Sequence, residues 1–528
     1  MGDIFVDDSG RRVQSVEEMA VRFYGELTGK IPVWRSQICA APDSLEELEH
    51  EVRDAFGRGA DLLVAGLLSV VMSDSAFVER SEAEAQETHR FPLRKGRSRK
   101  VRVRMLSGLL IWVSSLYCAP ARGKDKREGE DRSGLYVELA QFGFGKGVTP
   151  GLESRVARQA GLCPSLELAQ EELVRQGVDL DPKAVRRVAN QVGTGFLRLR
   201  RDELERWREG ELPAGDELKG GRVTVQIDGG RTKIRGPLRE RDAGDSASDE
   251  ANDDVGRSRK RPQRTCDAEW REPKLVTIFT HDENGRMVKN TIPLIDGTFE
   301  GPDAIAELIA MHLHRLGAAQ AECVTFASDG APWIWDRLAM IVALAKIQDL
   351  PVHEVLDNCH AAHHVSLALA AMGLNEKQRR PLYRQHRTLL RNGQWRRVVE
   401  ELTELAEDRP TSQRDAALVE VAYLQKHGEA GRMSYSHFRK LGIPLGSGAI
   451  ESTIRRVINQ RLKGNSISWR HDSAEAMLQL RAQIISKRWD QRMSGLRQLR
   501  KVDASERWRW EPRPMRHEHL EGSTEMPA

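Results

Sequence analysis

Val223-Thr224-Val225-Gln226-Ile227-Asp228-Gly229-Gly230 is the stretch on which the fold turns. Its valines and isoleucine read as a strand over 223–227, which breaks at an aspartate followed by two glycines. The pattern returns further on, where 322–327 reads as a strand that ends in Ser328-Asp329-Gly330. If these strands are parallel neighbours, their carboxyl ends emerge side by side and the two aspartates converge. Open α/β sheets collect their sites outside strand carboxyl ends for this reason. A glycine after each aspartate lets the chain turn sharply and leaves room for a substrate.

Working outward, 274–280 and 287–294 alternate as strands around an Asn284-Gly285 turn. Residues 303–316 and 333–347 carry helical periodicity, and 352–356 reads as a short strand. The resulting order is β-β-β-α-β-α-β, that of a mixed five-stranded ribonuclease H-like sheet. Residues 237–264 are polar, charged and free of aromatics, which predicts a disordered excursion. Residues 360–440 are helical almost throughout. Gly446-Ser447-Gly448 then leads into a predicted helix over 449–463.

That helix supplies a third carboxylate, Glu451. Ile450, Ile454, Val457 and Ile458 form its apolar stripe, and Glu451, Arg455 and Asn459 share the adjacent one. Arg455, Arg456, Asn459, Arg461 and Lys463 then make a surface suited to phosphates. The competing reading is an i,i+4 Glu–Arg surface pair, which leaves the glycine-rich approach and the basic run unexplained. Three carboxylates suit Mg²⁺, a hard cation that keeps waters and takes phosphate oxygens, with Mn²⁺ as a substitute. Two such ions activate water or a 3′-hydroxyl and stabilise the leaving oxygen in phosphoryl transfer. Cys359, His360, His363 and His364 admit a zinc reading, since His360 and His364 lie one helical turn apart. No second ligand pair stands nearby, and a positioning role is the stronger expectation.

The rest of the chain is read from charge and composition. It has 528 residues, 39% hydrophobic and 30% charged, enough for several folded units and against global disorder. The runs 62–72 and 338–347 fall short of the ~20 residues of a bilayer span, so no membrane association is expected. The acidic N-terminus lacks a signal peptide's basic start and apolar run. Six scattered cysteines form no CxxC pair, hence no disulfide framework or zinc ribbon, and a cytosolic or nuclear chain is expected. The net charge of +4 conceals segregation. Residues 90–104 hold eight basic groups and no acid, while 451–501 hold twelve basic groups against four acidic, a balance that fits a polyanion. Residues 1–88 read as amphipathic helix, with a capping box at Ser44-Leu-Glu-Glu and a buried helix at 62–72. Residues 89–150 read as irregular. A helix pair follows. Residues 165–176 end at Gly177, and Asp181-Pro182 starts a helix over 182–192 with Lys183, Arg186, Arg187 and Asn190 on its polar side. The second helix can lie in a DNA major groove or be half of an ordinary hairpin.

Ile227-Asp228-Gly229-Gly230, Trp270-Arg271-Glu272-Pro273-Lys274, Ser328-Asp329-Gly330-Ala331 and Leu356-Asp357-Asn358-Cys359-His360 together resemble DDE-type transposases of bacterial insertion sequences. The likeness is to the ISKra group, distant relatives of Mutator-like elements. Gly446-Ser447-Gly448-Ala449-Ile450-Glu451-Ser452, running on to Gly464, is the most specific block, and the likeness spans about residues 150–490. The resemblance implies that Asp228, Asp329 and Glu451 are metal ligands for two Mg²⁺ ions and that Asp357 and His360 form an auxiliary DxxH element. It also implies double-stranded DNA partners (terminal inverted repeats and target), a homo-oligomer on DNA, and a nucleoid-associated place in a bacterial cytoplasm. Units follow at 1–88, 89–150 (a degenerate zinc-ribbon region, with Cys118 alone), 151–220 for DNA binding, 221–356 for the first part of the core, 357–444 for a helical insertion, 445–490 for the last part of the core, and 491–528 for a basic then polar tail. The competing functions are a structure-specific nuclease on the same fold, a transposase-derived DNA-binding protein without catalysis, and a glycosidase using paired carboxylates. A chain 5% aromatic with segregated basic runs favours DNA over sugar.

Overall fold

A computed structural model of the chain describes residues 4–6, 11–13, 15–120, 134–236, 267–289, 291–464 and 467–503. The predicted excursion at 237–264, Cys266 and the tail beyond 503 lie outside the described residues. The protein is mixed α/β, with one five-stranded mixed sheet at its centre and helices on both faces.

The N-terminal unit contains β1 (Ile4–Val6), β2 (Arg11–Arg12), α1 (Val16–Ala40), α2 (Leu45–Ser73), α3 (Ser75–Thr88), β3 (Leu93–Arg104), β4 (Leu110–Pro120), β5 (Leu135–Tyr136) and α4 (Val137–Gln141). Residues 89–150 are therefore not irregular. β3 and β4 pair antiparallel, and β1 and β5 also join β4. The alternation was hidden because seven of the twelve residues of β3 are arginine or lysine, with only Leu93 and Val103 buried. Cys118 is wholly buried on β4, where burial pushes its thiol pKa up, the state of an inert core thiol.

The capping box at Ser44 does not form. Ser44 Oγ instead donates to the Ala41 carbonyl at 2.7 Å, a turn bond behind the helix. The run 62–72 is buried on one side only, through Leu62, Ala65, Ser69 and Met72, while Val64, Leu67, Val70 and Val71 are exposed. Pro42–Ser73 is long and apolar enough, by length and composition, to cross a membrane, which counting unbroken apolar runs missed. Here it packs against α1, and its buried Asp61 accepts from the Ser107 and Leu109 amides.

Next come α5 (Pro150–Leu162), α6 (Leu166–Val174) and α7 (Pro182–Glu209). Asp181 caps α7 by accepting from Ala184 N at 2.6 Å, and Gly177 turns the chain between α6 and α7 at φ +78°. The helix does not stop at 192. Phe196, Leu197 and Leu204 continue its buried stripe, and it ends at Gly210 in the left-handed region.

The central sheet is formed by β6 (Arg222–Gly229), then, after a small ribbon of β7 (Thr232–Arg235) and β8 (Ala268–Arg271), by β9 (Lys274–His281) and β10 (Leu294–Thr298). α8 (Pro302–Arg315), β11 (Cys323–Ser328), α9 (Pro332–Trp335), α10 (Leu338–Leu344) and β12 (Val352–Leu356) complete it. The order is β10-β9-β6-β11-β12. β10 and β6 run antiparallel to β9, while β6, β11 and β12 are parallel. Val223, Val225 and Ile227 bury their side chains with Ile305 and Ile309 of α8 and Ile334 and Leu338 of α9 and α10.

Two predicted elements are displaced. The turn at Asn284-Gly285 closes, with Gly285 at φ +71° and a bridge between His281 and Met287, yet the third strand is Leu294–Thr298, not 287–294. Pro293 lacks an amide for the ladder, so the pairing resumes only after it. The helix at 333–347 splits into α9 and α10, with Trp335 Nε1 drawn back to the Asp329 carbonyl at 2.8 Å.

The insertion comprises α11 (Asn358–Ala371), α12 (Glu376–Arg391), α13 (Trp395–Glu407), α14 (Thr411–Glu429) and α15 (Tyr435–Lys440) around one apolar core. α16 (Gly448–Ile454) then crosses the second face of the sheet, and α17 (His471–Ile485) and α18 (Trp489–Val502) follow. The predicted helix at 449–463 does not stay α-helical. It passes into a π-turn at Arg455–Asn459 and releases Lys463. Arg481 Nε donates to the carbonyls of Arg456 and Val457, both at 3.0 Å, so these oxygens are shared with a side chain at the wider turn.

Candidate functional site

The parallel pairing of β6 and β11 aligns Arg222 with Cys323 and Val225 with Phe326. Continued to the strand ends, that offset sets Asp228 beside Asp329. Ile227 N donates to Ser328 Oγ at 3.1 Å, which ties the two ends together just below the carboxylates. Gly229 N donates to Asp228 Oδ1 at 2.6 Å, and Ala331 N to Asp329 Oδ1 at 3.1 Å, so each turn orients its own aspartate. A Cβ on Gly229 would strike the Glu272 carboxylate, and one on Gly230 would crowd Ile458. Glu272 is thus a fourth carboxylate at this corner, brought there by the β8–β9 connection.

Burial first, and the Asp329 charge second, push the Asp228 pKa up to about 6; Glu451 adds to the rise and His360 opposes it. These four side chains therefore share one electrostatic environment. Folded Asp228 holds a proton at pH values where the unfolded chain has released it. Its ionisation lowers stability as pH rises from about 4 through about 6. Asp228→Asn should consequently raise the melting temperature of metal-free protein at pH 7, and the gain should fade by pH 4.5. Thermal melts of both proteins at the two pH values check this; an equal or lower melting temperature for the variant at pH 7 would contradict it.

Two clamps set the helix that carries Glu451. Gln226, a buried amide in the β6 apolar run, donates from Nε2 to the Gly446 carbonyl at 2.8 Å and accepts from Ile450 N at 2.9 Å. Asp357, at the end of β12, accepts from Cys359 N (2.6 Å) and His360 N (2.9 Å) on Oδ1. It accepts from Ser447 Oγ (2.7 Å) and Ser447 N on Oδ2. Asp357 is 2% exposed and both oxygens are engaged, so it positions His360 and the start of α16 and leaves no oxygen facing a cation. Thr277 Oγ1 donates to Thr453 Oγ1 at 3.0 Å and fixes α16 from the sheet below. Glu451 itself is exposed. The sequence reading missed Gln226, whose signal was a lone amide amid Val223, Val225 and Ile227.

The insertion reaches the same corner. Gly330 N donates to the Tyr423 hydroxyl, and a Cβ on Gly330 would collide with that ring. His364 Nδ1 lies 2.5 Å from Glu420 Oε2, and its ring stacks on Tyr423 at 3.5 Å. His364 is thus held between Glu420 and Tyr423, and Cys359 is exposed. Among the described residues no three His, Cys, Asp or Glu side chains are gathered as tightly as a bound metal would hold them. The donors at the corner are nonetheless the hard oxygens that Mg²⁺ prefers. Burial is the larger cause of the raised Asp228 pKa, and the repulsion from Asp329 and Glu451 that adds to it is what a bound cation would relieve.

The candidate DNA-binding residues divide. Lys183, Arg186 and Arg187 are exposed on α7, and Asn190 is half-buried with its amide 3.4 Å from Ser473 Oγ. Arg455, Asn459 and Lys463 are exposed, while Arg456 is half-buried and donates to the Ser452 carbonyl at 3.3 Å. Arg461 does not belong with them. It is 5% exposed, donates to the Pro164 carbonyl at 3.0 Å and packs on the Trp469 ring, joining α17's approach loop to the α5–α6 turn.

Comparison with protein-family models, with curated proteins and with solved structures finds no match for this chain.

Proposed function

We propose that the chain is a DDE-type DNA transposase that cleaves the 3′ ends of an insertion element and transfers them to target DNA. The observation that carries this reading is the pair Asp228 and Asp329 at the ends of adjacent parallel strands, with Glu451 on a clamped helix in the same electrostatic environment. The strand order, two antiparallel pairs followed by two parallel ones, supports a ribonuclease H-like core. The five-helix insertion between Asp329 and Glu451 supports a transposase over a compact junction nuclease.

In this reading Asp228, Asp329 and Glu451 would hold two Mg²⁺ ions, for which Mn²⁺ would substitute. Bound ions of this kind activate the attacking oxygen and stabilise the leaving one. The chain's own contribution is placement. The strand ends fix the two aspartates, Gln226 and Asp357 fix the approach of Glu451, and the glycines at 229, 230 and 330 admit Glu272, Ile458 and Tyr423 close against the strand ends. Arg455 and Lys463 lie beyond Glu451 as phosphate contacts, and the DNA is bound by a homo-oligomer in the bacterial nucleoid.

The test is cleavage of a labelled duplex taken from the DNA that flanks the gene. Nicking at the boundary of an inverted repeat in Mg²⁺ or Mn²⁺, and none in excess chelator, is the expected result. Binding without nicking in either metal would leave a DNA-binding protein descended from a transposase. Nicking that follows branched structure and ignores the repeat would leave a nuclease.

A further inference from the structure

The exposed side of α7 over residues 183–190 is a ridge between two basic grooves. On one flank Lys183 and Arg187, one turn apart, face Arg102 and Arg104 of β3 together with Lys146. Asp179 and Asp181 are the acids on that side, and Asp181 is engaged in capping α7. On the other flank Arg186 and Asn190, also one turn apart, face Arg235, Arg470 and Ser473, with Glu167 the acid there. The opposite side of the same stretch of helix is core. Val185, Val188, Ala189 and Val192 are at most 1% exposed, packed on α5, α6 and α17. The ridge is therefore rigidly backed. Among the described residues no carboxylate lies in salt-bridge range of Arg102, Lys183, Arg187 or Arg470.

We infer that B-form duplex DNA docks here with the start of α7 in its major groove and one phosphate strand in each flanking groove. A single basic cleft would accept any polyanion. Two clefts on either side of one helical ridge match a major groove about 12 Å wide, which admits an α-helix between two backbones. The orientation also fits, because a helix that reads DNA presents its first turns to the bases, and the ridge is the first turns of α7. The β3–β4 hairpin, whose strand β3 carries the basic run of the N-terminal unit, becomes the outer wall that grips one backbone. This inference rests on the reading of the chain as a DNA-processing enzyme only in taking DNA as the ligand.

The experiment uses the full chain and a labelled random-sequence duplex of about 30 base pairs, with affinity followed against salt. Arg102→Ala in one groove and Arg470→Ala in the other should each lower the slope of log affinity against log salt by about one unit, and the double variant by about two. Both side chains are exposed, so melting temperatures should stay at the parent value; Lys183→Ala serves as a second variant should Arg102→Ala lose stability. Guanine N7 atoms should be protected from methylation in the complex. Duplex RNA should compete weakly, because its major groove is too deep and narrow for a helix. A slope that responds in one groove only, N7 atoms that stay reactive, or RNA competing as well as DNA would overturn the inference. A chain that binds in this way and cleaves nothing defeats the proposed catalysis alone. A chain that cleaves with unchanged slopes in these variants defeats this docking alone.

Discussion

Asp228→Asn, Asp329→Asn and Glu451→Gln are each expected to reduce strand cleavage and transfer to background while leaving duplex binding at the parent affinity. Each substitution keeps the side chain's shape and removes the charge that holds a hard cation. Ions that stabilise both the attacking and the leaving oxygen contribute several kcal/mol to the transition state, and about 4 kcal/mol corresponds to about 10³-fold in rate. Binding should survive because the ridge of α7 and the grooves beside it are built from other elements. The fold should survive too. Asp228 is held ionised at neutral pH against burial and the Asp329 charge, so its amide variant has a reason to be more stable, not less. The measurement is cleavage of the flanking-DNA duplex in Mg²⁺ beside a gel shift on the same duplex. Full cleavage by one variant removes that residue from the set, and cleavage in excess chelator discards metal catalysis altogether.

The parts of this architecture that sequence displays are those set by local pattern. β6, β9, β11 and β12 announce themselves because Val, Ile, Thr and Phe recur in short runs that stop at Asp228, Asp282, Asp329 and Asp357, and α8 because Pro302 follows a glycine ahead of a helical period. The two aspartates follow from that pattern, since parallel strands of similar length bring their ends together. What stays hidden depends on partners distant in the chain. β10 reads Leu-Ile-Asp-Gly-Thr, and all five residues are buried, so no alternation marks it. Asp296 is tolerated there only because α7, α8 and α17 supply its hydrogen bonds. β3 is hidden for the opposite reason: charge covers its outward positions and leaves few apolar ones to show the period. Arg461 looks like its basic neighbours and is distinguished only by carbonyls some 300 residues earlier in the chain. Gln226 and Asp357 belong here as well, because their partners around Ser447 lie on the far side of the helical insertion.

The buried cluster around Asp296 is where a single substitution should do the greatest damage to the fold. Arg200 on α7, 2% exposed, donates to Asp296 Oδ1 at 3.0 Å, the Gly297 carbonyl at 2.8 Å and Glu475 Oε1 at 2.9 Å. Glu475 also accepts from Thr298 Oγ1 and Phe299 N, both at 2.7 Å, and Asp296 also accepts from Gln479. Burial holds His312 below its usual pKa, and its neutral Nε2–H donates to the second Asp296 oxygen at 2.7 Å. Burial by itself would raise the Asp296 pKa, yet Arg200 and His312 outweigh it and keep the carboxyl well below the usual range. One guanidinium thus bridges two buried carboxylates. Arg200→Met should cost about 3–5 kcal/mol, the range for breaking a buried ion pair by removing one partner. Arg200→Lys should recover little, since a point charge cannot bond three acceptors set for a planar fork. Arg200→Met combined with Asp296→Leu and Glu475→Leu should regain part of the loss, because an apolar replacement leaves no stranded charge. For the single variant the pH dependence should also change. A depressed Asp296 pKa contributes stability above the unfolded value near 4 that is lost as pH falls towards the folded one, and without Arg200 that contribution shrinks. Stabilities from denaturant unfolding of the three variants and the parent, measured at pH 7 and at about pH 3, decide the matter. An Arg200→Met stability within about 1 kcal/mol of the parent would show that α7 is held to the sheet by its apolar stripe, with the charged cluster incidental to the joint.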